Sequence, residues 1–531
     1  MASLGRSSAL IAAGTLASRV TGLLRTVVLV AAIGSYGSYA ADAFATANQL
    51  PNNIYTVIST GILTAVIVPQ IVRVSSRPDG GREFISKLFT LATVVLLAAT
   101  AVAMVLAPVI VWLYVPAFSP EQQALAVAFA YWCLPQILFY GLYALIGETL
   151  NAKGIFGPFA WAPVINNVVS IAGFVLLIAF FGRDLTAVEQ WTPGMIALLG
   201  GTATAGIVAQ AVVLMLFWRG TGLHLRPDFR WRGVGLGNIG RLAGWTFLMM
   251  LVGQVAGWMQ SRVVSDASGD AGVAVMQNAW LVFMLPYSVI VMAIGTPYFT
   301  QLSGHAAEGR HDEVRADVGR AIRTLGLFVI IATAALAAAA VPATRVFTNR
   351  ADDAVAAAPV LIAFLVCLVP LAVQFVVQRT FYAYGDTRTP FLFTLFQGAL
   401  VVTSALLAGA FLPREHLTAG VALGQALAST AQVVLAAWLL RRRIGSFELG
   451  RSLWALTRFA LAAIPAGLAG WGVYLWTGGG SGWMTSDRLL GALGTCVVGG
   501  VALVVYVAIL AIFRAPELAI AGGMLRRLLK R

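Results

Sequence analysis

Residues 8–34 read SALIAAGTLASRVTGLLRTVVLVAAIG, an apolar run that carries two arginines, Arg19 and Arg25. As an α-helix, a run of this length extends about 40 Å at 1.5 Å per residue. The hydrocarbon core of a bilayer is only ~30 Å thick, so the run is long enough to cross it. It is too long for the apolar part of a cleavable signal peptide, and it contains arginines. We therefore expect it to remain as the first membrane span.

The composition extends this interpretation to the whole chain. Of 531 residues, 59% are hydrophobic and only 11% are charged, with a mean hydropathy of +0.86. Soluble domains usually carry about 25% charged residues, so this chain lacks the polar side chains to cover a water-soluble particle. The predicted fold class is an all-α polytopic membrane protein.

Turn-like stretches such as SSRPDGG, NAKGIFGP, RRRIGS and WTGGGSGW separate the apolar runs. They divide the chain into about fourteen predicted transmembrane helices. The predicted spans are 8–34, 42–73, 86–115, 122–150, 158–182, 194–218, 237–263, 271–303, 318–346, 354–384, 389–412, 417–440, 452–476 and 487–513.

Most of the 35 lysines and arginines fall in the N-terminus, the even-numbered loops or the C-terminus. Cytoplasmic loops are enriched in Lys and Arg, so both termini are predicted to be cytoplasmic. This distribution also explains the net charge of +14 without nucleic-acid binding. Residues 304–323 mix both signs of charge at helical spacing, which predicts an amphipathic cytoplasmic helix between spans eight and nine.

Two sequence elements recur six spans apart. They are ETLNAKGIFGPF (148–159) with RTFYAYGDTRTPF (379–391), and LPNNIYTVISTGILTAVIVPQ (50–70) with LPYSVIVMAIGTPYFTQ (285–301). Because six is even, the two copies share one orientation in the membrane. This predicts two six-helix lobes related by a pseudo-two-fold axis along the membrane normal.

The corresponding domain prediction has three parts. They are an N-lobe with spans 1–6 (1–220), a C-lobe with spans 7–12 (221–450), and two extra C-terminal helices with a basic cytoplasmic tail (451–531). Two bundles around a central cavity suit transport by alternating access.

Other classes of protein are not supported by the sequence. We find no Walker A sequence, no channel-filter pattern and no catalytic Ser/His/Asp or HExxH arrangement, so a transporter is favoured over an enzyme. The three cysteines lie in apolar runs without metal-ligand or disulfide spacing. The four histidines lie in predicted loops, where we expect them to be solvated. No metal site and no cofactor is predicted.

The two arginines of the first span point to the function. An unpaired arginine at the bilayer centre costs between ~3 and ~17 kcal/mol, so Arg19 and Arg25 should face a watery interior. They lie about 120° apart on the helix, an arc that long side chains can bridge. Planar guanidinium groups match phosphate oxygens, so a phosphate-bearing substrate is predicted. The alternative is that they reach an interface or pair internally, with Asp42 as partner.

Three further charged residues are candidates for pairing or gating. Asp42 begins the second span and could equally stabilise that helix N-terminus. Glu148 flanks the inner end of span four, and Arg262, at the outer end of span seven, could also form a simple surface pair with Asp266. Prolines within the spans are predicted bending points. They are Pro51, Pro135, Pro286 and Pro370.

Several of these stretches resemble a known family. SRVTGLLR (18–25), ADAFATANQLPN (41–52) and VPQ (68–70) are similar to the N-terminal signature of the MurJ/MviN family of lipid II flippases. That family belongs to the multidrug/oligosaccharidyl-lipid/polysaccharide exporter superfamily. The resemblance covers essentially the whole chain and is greatest to the actinobacterial branch.

The resemblance implies a function. Such a protein moves lipid II, the undecaprenyl-diphosphate-linked disaccharide-pentapeptide of peptidoglycan synthesis, from the inner to the outer leaflet of the bacterial cytoplasmic membrane. The family's two arginines of span one fall on Arg19 and Arg25, and its acidic residue on Asp42. Two other positions differ: where many members carry arginines, this chain has Tyr55 and Leu281.

The resemblance further implies that residues 452–513 form a groove for the lipid tail. Spans seven, eleven and twelve lack the aspartates of the sodium site found in some members, so the coupling ion stays open. The membrane potential is expected to assist transport. Expected partners are lipid II, membrane lipids and proteins of cell-wall synthesis or division.

Three alternatives remain at this stage. A flippase for another polyprenyl-diphosphate-linked glycan would use the same charges. A transport-inactive scaffold for cell-wall synthesis would tolerate the loss of two family arginines. A cation-coupled drug exporter should place acidic residues in the cavity, and the arginines argue against it.

Overall fold

The computed structural model describes residues 2–59, 82–221, 225–230, 240–513, 515 and 517–518, and within them the chain is almost entirely helical. The first nine helices are α1 (Ala2–Ile33), α2 (Tyr39–Ile58), α3 (Arg82–Val105), α4 (Ala107–Tyr114), α5 (Pro120–Cys133), α6 (Gln136–Ala152), α7 (Gly157–Phe181), α8 (Pro193–Leu216) and α9 (Gly240–Val264). The others are α10 (Val273–Pro286), α11 (Met292–Ala307), α12 (His311–Ala338), α13 (Ala340–Arg345), α14 (Ala351–Leu365), α15 (Leu368–Ala383), α16 (Arg388–Phe411), α17 (Arg414–Ile444), α18 (Leu449–Trp476) and α19 (Arg488–Ile512).

Each of the fourteen predicted spans overlaps at least one of these helices. In the described part of the chain, twelve helical segments are long and apolar enough to cross a membrane, which confirms a polytopic all-α membrane protein. The helices α2 and α9 are not among the twelve, and residues 60–73 of the second predicted span lie outside the described residues. The count of fourteen therefore stays a prediction.

Three of the four prolines predicted as bending points coincide with breaks in a helix. Pro135 separates α5 from α6, and Pro286 ends α10, after which Tyr287–Val291 form a π-helical turn. Pro370 lies in the first turn of α15, directly after a break. A proline lacks the N–H that would bond to the preceding turn, so the helix is weakest there. Pro51 differs, because α2 continues through it. Movement about these points stays a prediction.

The chain divides into two compact units, Met1–Gln254 and Val255–Arg531. The border falls within α9 rather than near residue 220, and residues 451–513 pack as part of the second unit. In the first unit, α7 packs along both α1 and α8. In the second, α18 packs along α12 and α19. There the buried Tyr506 hydroxyl donates to the Leu327 carbonyl at 3.0 Å.

The expectation of a separate amphipathic helix over 304–323 is wrong. The helix α11 ends at Ala307, a turn follows in which Gly309 has a φ of +71°, and α12 then runs without interruption to Ala338. The charged residues at the start of α12 are thus the first turns of a span. Glycine suits this turn because a positive φ strains other residues.

The expectation of solvated loop histidines is wrong for His305, whereas His311 is exposed but lies in a helix rather than a loop. His305 lies in the last turn of α11, where its Nδ1 is 2.8 Å from Asp317 Oδ2 and its Nε2 is 3.0 Å from Glu313 Oε2. His311 begins α12, and its Nδ1 lies 2.8 Å from the Tyr384 hydroxyl. The reason is the tight turn between α11 and α12, which brings the carboxylates of α12 back onto α11.

A buried arginine ties the short helix α13 to the segment between α18 and α19. Arg345 is only 6% exposed. Its guanidinium donates to the carbonyls of Thr485 at 2.6 Å, Thr348 at 2.7 Å and Ser486 at 3.0 Å. With three carbonyl acceptors, this cation needs no ligand.

Replacement of Arg345 by methionine should destabilise the second unit. The change removes three hydrogen bonds and leaves the carbonyls of buried Thr348 and Thr485 without this donor, at about 1–3 kcal/mol each where no water replaces it. We expect a clearly lower midpoint of thermal unfolding for the detergent-solubilised protein. Arg350→Met is the matched control, since Arg350 is exposed. An equal midpoint for the two variants would contradict the structural role of Arg345.

Candidate functional site

Arg25 lies near the middle of the apolar part of α1 and is half-buried. Its electrostatic neighbour is the hydroxyl-bearing side chain of Tyr140, on α6. Among the described residues, no carboxylate lies within ion-pair distance of Arg25, and no hydrogen bond from its guanidinium is found. Within the described residues, the N–H donors of this cation are therefore unused, and an anionic ligand would be stabilised there.

Two stacked aromatic pairs lie on the first unit, and one of them includes Tyr140. Tyr55, from α2, stacks on Tyr140 with ring centroids 5.7 Å apart and planes 24° apart. Tyr143 stacks on Phe159 at 5.0 Å, and its hydroxyl donates to the Phe159 carbonyl at 3.0 Å. Sequence analysis noted Tyr55 only as a departure from the family and missed Tyr140 and Tyr143. The sequence signal that could have identified Tyr140 and Tyr143 is their spacing of three residues, which places both on one face of a helix.

Glu148 belongs to the same neighbourhood. It lies on α6 and acts electrostatically on Tyr55 and Tyr143. The structure thus brings Glu148, Tyr55 and Tyr143 together on the first unit. No ion pair of Glu148 is found among the described residues.

Contacts between α1 and α7 fix the rotation of α1 and hence the direction of Arg25. The Asn167 amide donates to the Ser18 carbonyl at 3.1 Å and to the Thr21 hydroxyl at 3.0 Å. One end of α1 approaches α7 closely at Gly14, where a Cβ would lie 2.9 Å from the Trp161 ring. Any larger residue at this position would displace α1.

In the described part of the chain, Arg19 and Asp42 do not form an ion pair with each other. Arg19 is exposed on α1, and no carboxylate in the described part of the chain pairs with it or with Arg25. Asp42 is fully buried in the first turn of α2, behind the N-cap Ser38, whose hydroxyl accepts from the Ala41 amide at 3.0 Å. A carboxylate there is stabilised by the partial positive charge of the helix N-terminus. In this conformation Asp42 is not the partner of either arginine.

The second unit carries its own cation among aromatic rings. Arg379, on α15, lies 5.0 Å from the ring centroid of Phe299 and 5.2 Å from that of Phe375. Such contacts stabilise a cation by about 0.5–2 kcal/mol. Arg262, also predicted as a candidate, is half-buried in the last turn of α9, and Ser265 donates to its carbonyl at 2.6 Å. Sequence analysis did not propose Arg379 as a site residue. It begins the repeat element 379–391, which corresponds to the element 148–159 that begins with Glu148.

An apolar groove lies along α12 and α18 in the second unit, with a volume of about 670 Å³. Its walls include Ile330 and Ala334 from α12, and Leu456, Ile464 and Trp471 from α18. Polar atoms contribute little to it, so it suits a hydrocarbon chain. Among the described residues, no group of three His, Cys, Asp or Glu side chains could hold a metal ion.

Replacement of Asn167 by alanine should loosen α1 on α7. Interhelical hydrogen bonds in membranes contribute about 0.6 kcal/mol on average and up to ~1.7 kcal/mol. Since Asn167 makes two, we expect a loss of about 1 kcal/mol, measured as a lower midpoint of thermal unfolding. Asn52→Ala is the control, because Asn52 is exposed. Equal midpoints for the two variants would show that α1 is positioned by other contacts.

Comparison with known proteins identifies similar sequences. The family model described as "Lipid II flippase MurJ" matches residues 30–486. The probable lipid II flippase MurJ of Synechocystis is 26% identical over 542 aligned residues, covering 100% of this chain and 98% of its own length. The lipid II flippase MurJ of Burkholderia cenocepacia is 24% identical, covering 73% of this chain and 75% of its own.

Solved structures show the same fold. A lipid II flippase MurJ in an inward closed conformation superposes with a TM-score of 0.73 at 20% identity, covering 95% of this chain and 98% of its own. An inward-facing multidrug resistance transporter of the MATE family gives a TM-score of 0.59 at 16% identity, covering 78% and 96%. Since the family model matches well over half of its residues, the chain belongs to the lipid II flippase MurJ family.

Proposed function

We propose that this protein, a lipid II flippase and not an enzyme, binds the diphosphate of lipid II at Arg25 and exposes it to each side of the membrane in turn. The observation that carries the proposal is a half-buried arginine in a spanning helix whose N–H donors meet no acceptor among the described residues. An isolated cation at that depth is costly, and a bound anion would remove the cost.

The chemistry of a diphosphate fits this cation. A planar guanidinium can donate two parallel hydrogen bonds to one phosphate group, and hydrogen bonds between charged groups are about twice as strong as neutral ones. Arg19 lies six residues before Arg25 on α1 and is exposed, so its long side chain can reach a ligand held at Arg25 or meet it earlier. Two cations along one helix would guide an anion along that helix.

The groove along α12 and α18 would hold the lipid tail. A polyprenyl chain is pure hydrocarbon, and the groove is apolar and about 670 Å³ in volume. Its wall from α18 belongs to the predicted thirteenth span. The groove places the tail in contact with the second unit while the headgroup crosses, so that the tail never enters water.

The proposed orientation of the protein in the membrane follows from the distribution of Lys and Arg among its loops. Both termini are proposed to be cytoplasmic, in the inner membrane of a bacterium, because cytoplasmic loops are enriched in Lys and Arg. A membrane potential negative inside would then favour export of an anionic headgroup, by ~2.3 kcal/mol per charge per 100 mV. Membrane lipids and proteins of cell-wall synthesis or division are proposed partners.

Transport should depend on the guanidinium of Arg25. In cells depleted of their native flippase, we expect the wild-type chain to restore lipid II at the outer leaflet. Arg25→Ala should lower that signal more than tenfold, and Arg25→Lys severalfold, since a lysine keeps the charge but not the paired donors. The measurement is labelling of lipid II from outside at matched expression, with Arg414→Ala, a change in an exposed residue at the start of α17, as control.

Two results would contradict the proposal. Full exposure of lipid II with Arg25→Ala would make that arginine structural. If the wild-type chain restored nothing, the substrate would be another polyprenyl-diphosphate-linked glycan, which shares the diphosphate and the tail, or the protein would be a scaffold.

Filling the groove should impair transport of lipids with long tails. Ala460 lines the groove and is exposed, so Ala460→Phe places a ring where the tail would lie. The matched control is Leu461→Phe, on the neighbouring face of α18, which is 60% exposed and outside the groove. In proteoliposomes we expect Ala460→Phe to slow flipping of undecaprenyl-linked lipid II severalfold and to spare an analogue with a short tail. Equal slowing of both substrates would assign the groove another role.

A further inference from the structure

An apolar groove also lies on the first unit, at the break that Pro135 makes between α5 and α6. Its volume is about 660 Å³, which is within the usual range of sites for small molecules. Tyr131, Trp132 and Pro135 form one wall, and residues of α8 between Gly201 and Val212 form the other. The proposed transport route does not use this groove.

One hydrogen bond fixes the depth of this groove in the membrane. The Thr204 hydroxyl donates to the Trp132 carbonyl at 2.6 Å. Trp132 belongs to the last turn of α5, where the break leaves carbonyls without the N–H donors of a continuing helix. Thr204 lies at the middle of α8, a membrane-spanning helix of 24 residues. The backbone of Trp132 therefore lies near the middle of the bilayer as well.

The surface of the groove is suited to hydrocarbon rather than to water. Val212 is 51% exposed although it lies within a spanning helix. Apart from Thr204, the residues that α8 contributes to the groove are apolar. They are Gly201, Ala205, Val208, Ala209 and Val212. At this depth an exposed apolar surface faces the lipid, because the bilayer core holds no water.

Two hydrogen-bond donors at this depth have no acceptor in the described part of the chain. Tyr131 is 44% exposed and Trp132 is 46% exposed. Among the described residues, no hydrogen bond engages the Tyr131 hydroxyl or the indole N–H of Trp132. Tyr and Trp side chains of membrane proteins are enriched at the two interfaces, where their polar atoms reach water. In the bilayer core, these two donors require an acceptor on a molecule dissolved in the lipid.

We propose that this groove binds a lipid-soluble quinone, which is a flat, uncharged ring with two carbonyl groups on an apolar tail. The indole N–H of Trp132 and the hydroxyl of Tyr131 donate to the carbonyl oxygens, and the tail lies along α8. The quinone ring has acceptors but no donors. It therefore brings no unpaired donor into the hydrocarbon, where an unpaired polar group is costly.

Other lipids fit these donors less well. The ester carbonyls of phospholipids stay in the interfacial region, outside the hydrocarbon core. A lipid alcohol would add a donor of its own, for which the groove offers no free acceptor in its apolar wall. A quinone in the groove would also join α5 to α8 beside the break at Pro135. Binding should therefore stabilise the first unit, since a ligand that binds only the folded state raises its stability.

The test is binding of three probes by the purified full-length chain in nanodiscs, measured by native mass spectrometry. Phylloquinone carries a quinone ring on a branched tail, phytane is a branched hydrocarbon without oxygen, and dioleoylglycerol carries ester carbonyls. We expect phylloquinone to bind wild type at least tenfold more tightly than either of the others. Trp132→Phe and Tyr131→Phe should each weaken phylloquinone binding about fivefold, or about 1 kcal/mol, and leave phytane binding unchanged.

Two further variants complete the experiment. Ala205 is exposed and lines the groove, so Ala205→Phe should abolish phylloquinone binding by filling it. Trp454→Phe is the matched control, because Trp454 is 66% exposed and lies on α18 of the second unit. The midpoint of thermal unfolding shows that each variant is folded, and phylloquinone should raise the midpoint of wild type.

Three results would overturn the inference. Equal phylloquinone binding by wild type, Trp132→Phe and Tyr131→Phe would remove the role of the two donors. Phytane binding as tight as phylloquinone binding would make the groove a site for any hydrocarbon chain. Tighter binding of dioleoylglycerol would assign the groove to an ester lipid. None of these results bears on lipid II, so the inference and the proposed function are tested separately.

Discussion

The arrangement of the first unit depends on one constraint, the cost of holding a cation in hydrocarbon. Arg25 cannot face lipid, so α1 must present it to neighbouring protein or to water. The hydrogen bonds from Asn167 and the close approach at Gly14 fix that rotation. Among the described residues, Tyr140 is the electrostatic neighbour of the arginine and no carboxylate pairs with it. An unneutralised cation is what a site for an exchangeable anion requires, since a permanent partner would compete with the substrate.

The contacts of each guanidinium distinguish the proposed ligand-binding arginine from the structural arginines. Arg345 is buried too, but three carbonyls satisfy its guanidinium, and it joins two segments of the second unit. Arg379 packs on aromatic rings, which stabilise a cation without neutralising it. Charge and burial alone do not distinguish these residues. The hydrogen-bond partners of each guanidinium do, and they depend on segments distant in sequence.

The proposed route of the substrate has a polar part and an apolar part. The anionic group is held by α1 in the first unit, whereas the groove for the tail is built by α12 and α18 in the second. A flippase must solvate both ends of an amphiphile at once. Separate surfaces for headgroup and tail allow the headgroup to cross while the tail stays in an apolar environment.

The sequence by itself determined the membrane class, the helical segments and the breaks at Pro135, Pro286 and Pro370, because hydropathy, helical period and the missing N–H of proline are local properties. Sequence analysis erred where residues meet across a turn: His305 was expected to be solvated, but the chain reverses at Gly309 and brings Glu313 and Asp317 against it. Only the tertiary structure decided that backbone carbonyls hold Arg345 and that Tyr55 stacks on Tyr140, the electrostatic neighbour of Arg25. These facts depend on helix rotation and packing, which side chains distant in sequence set together.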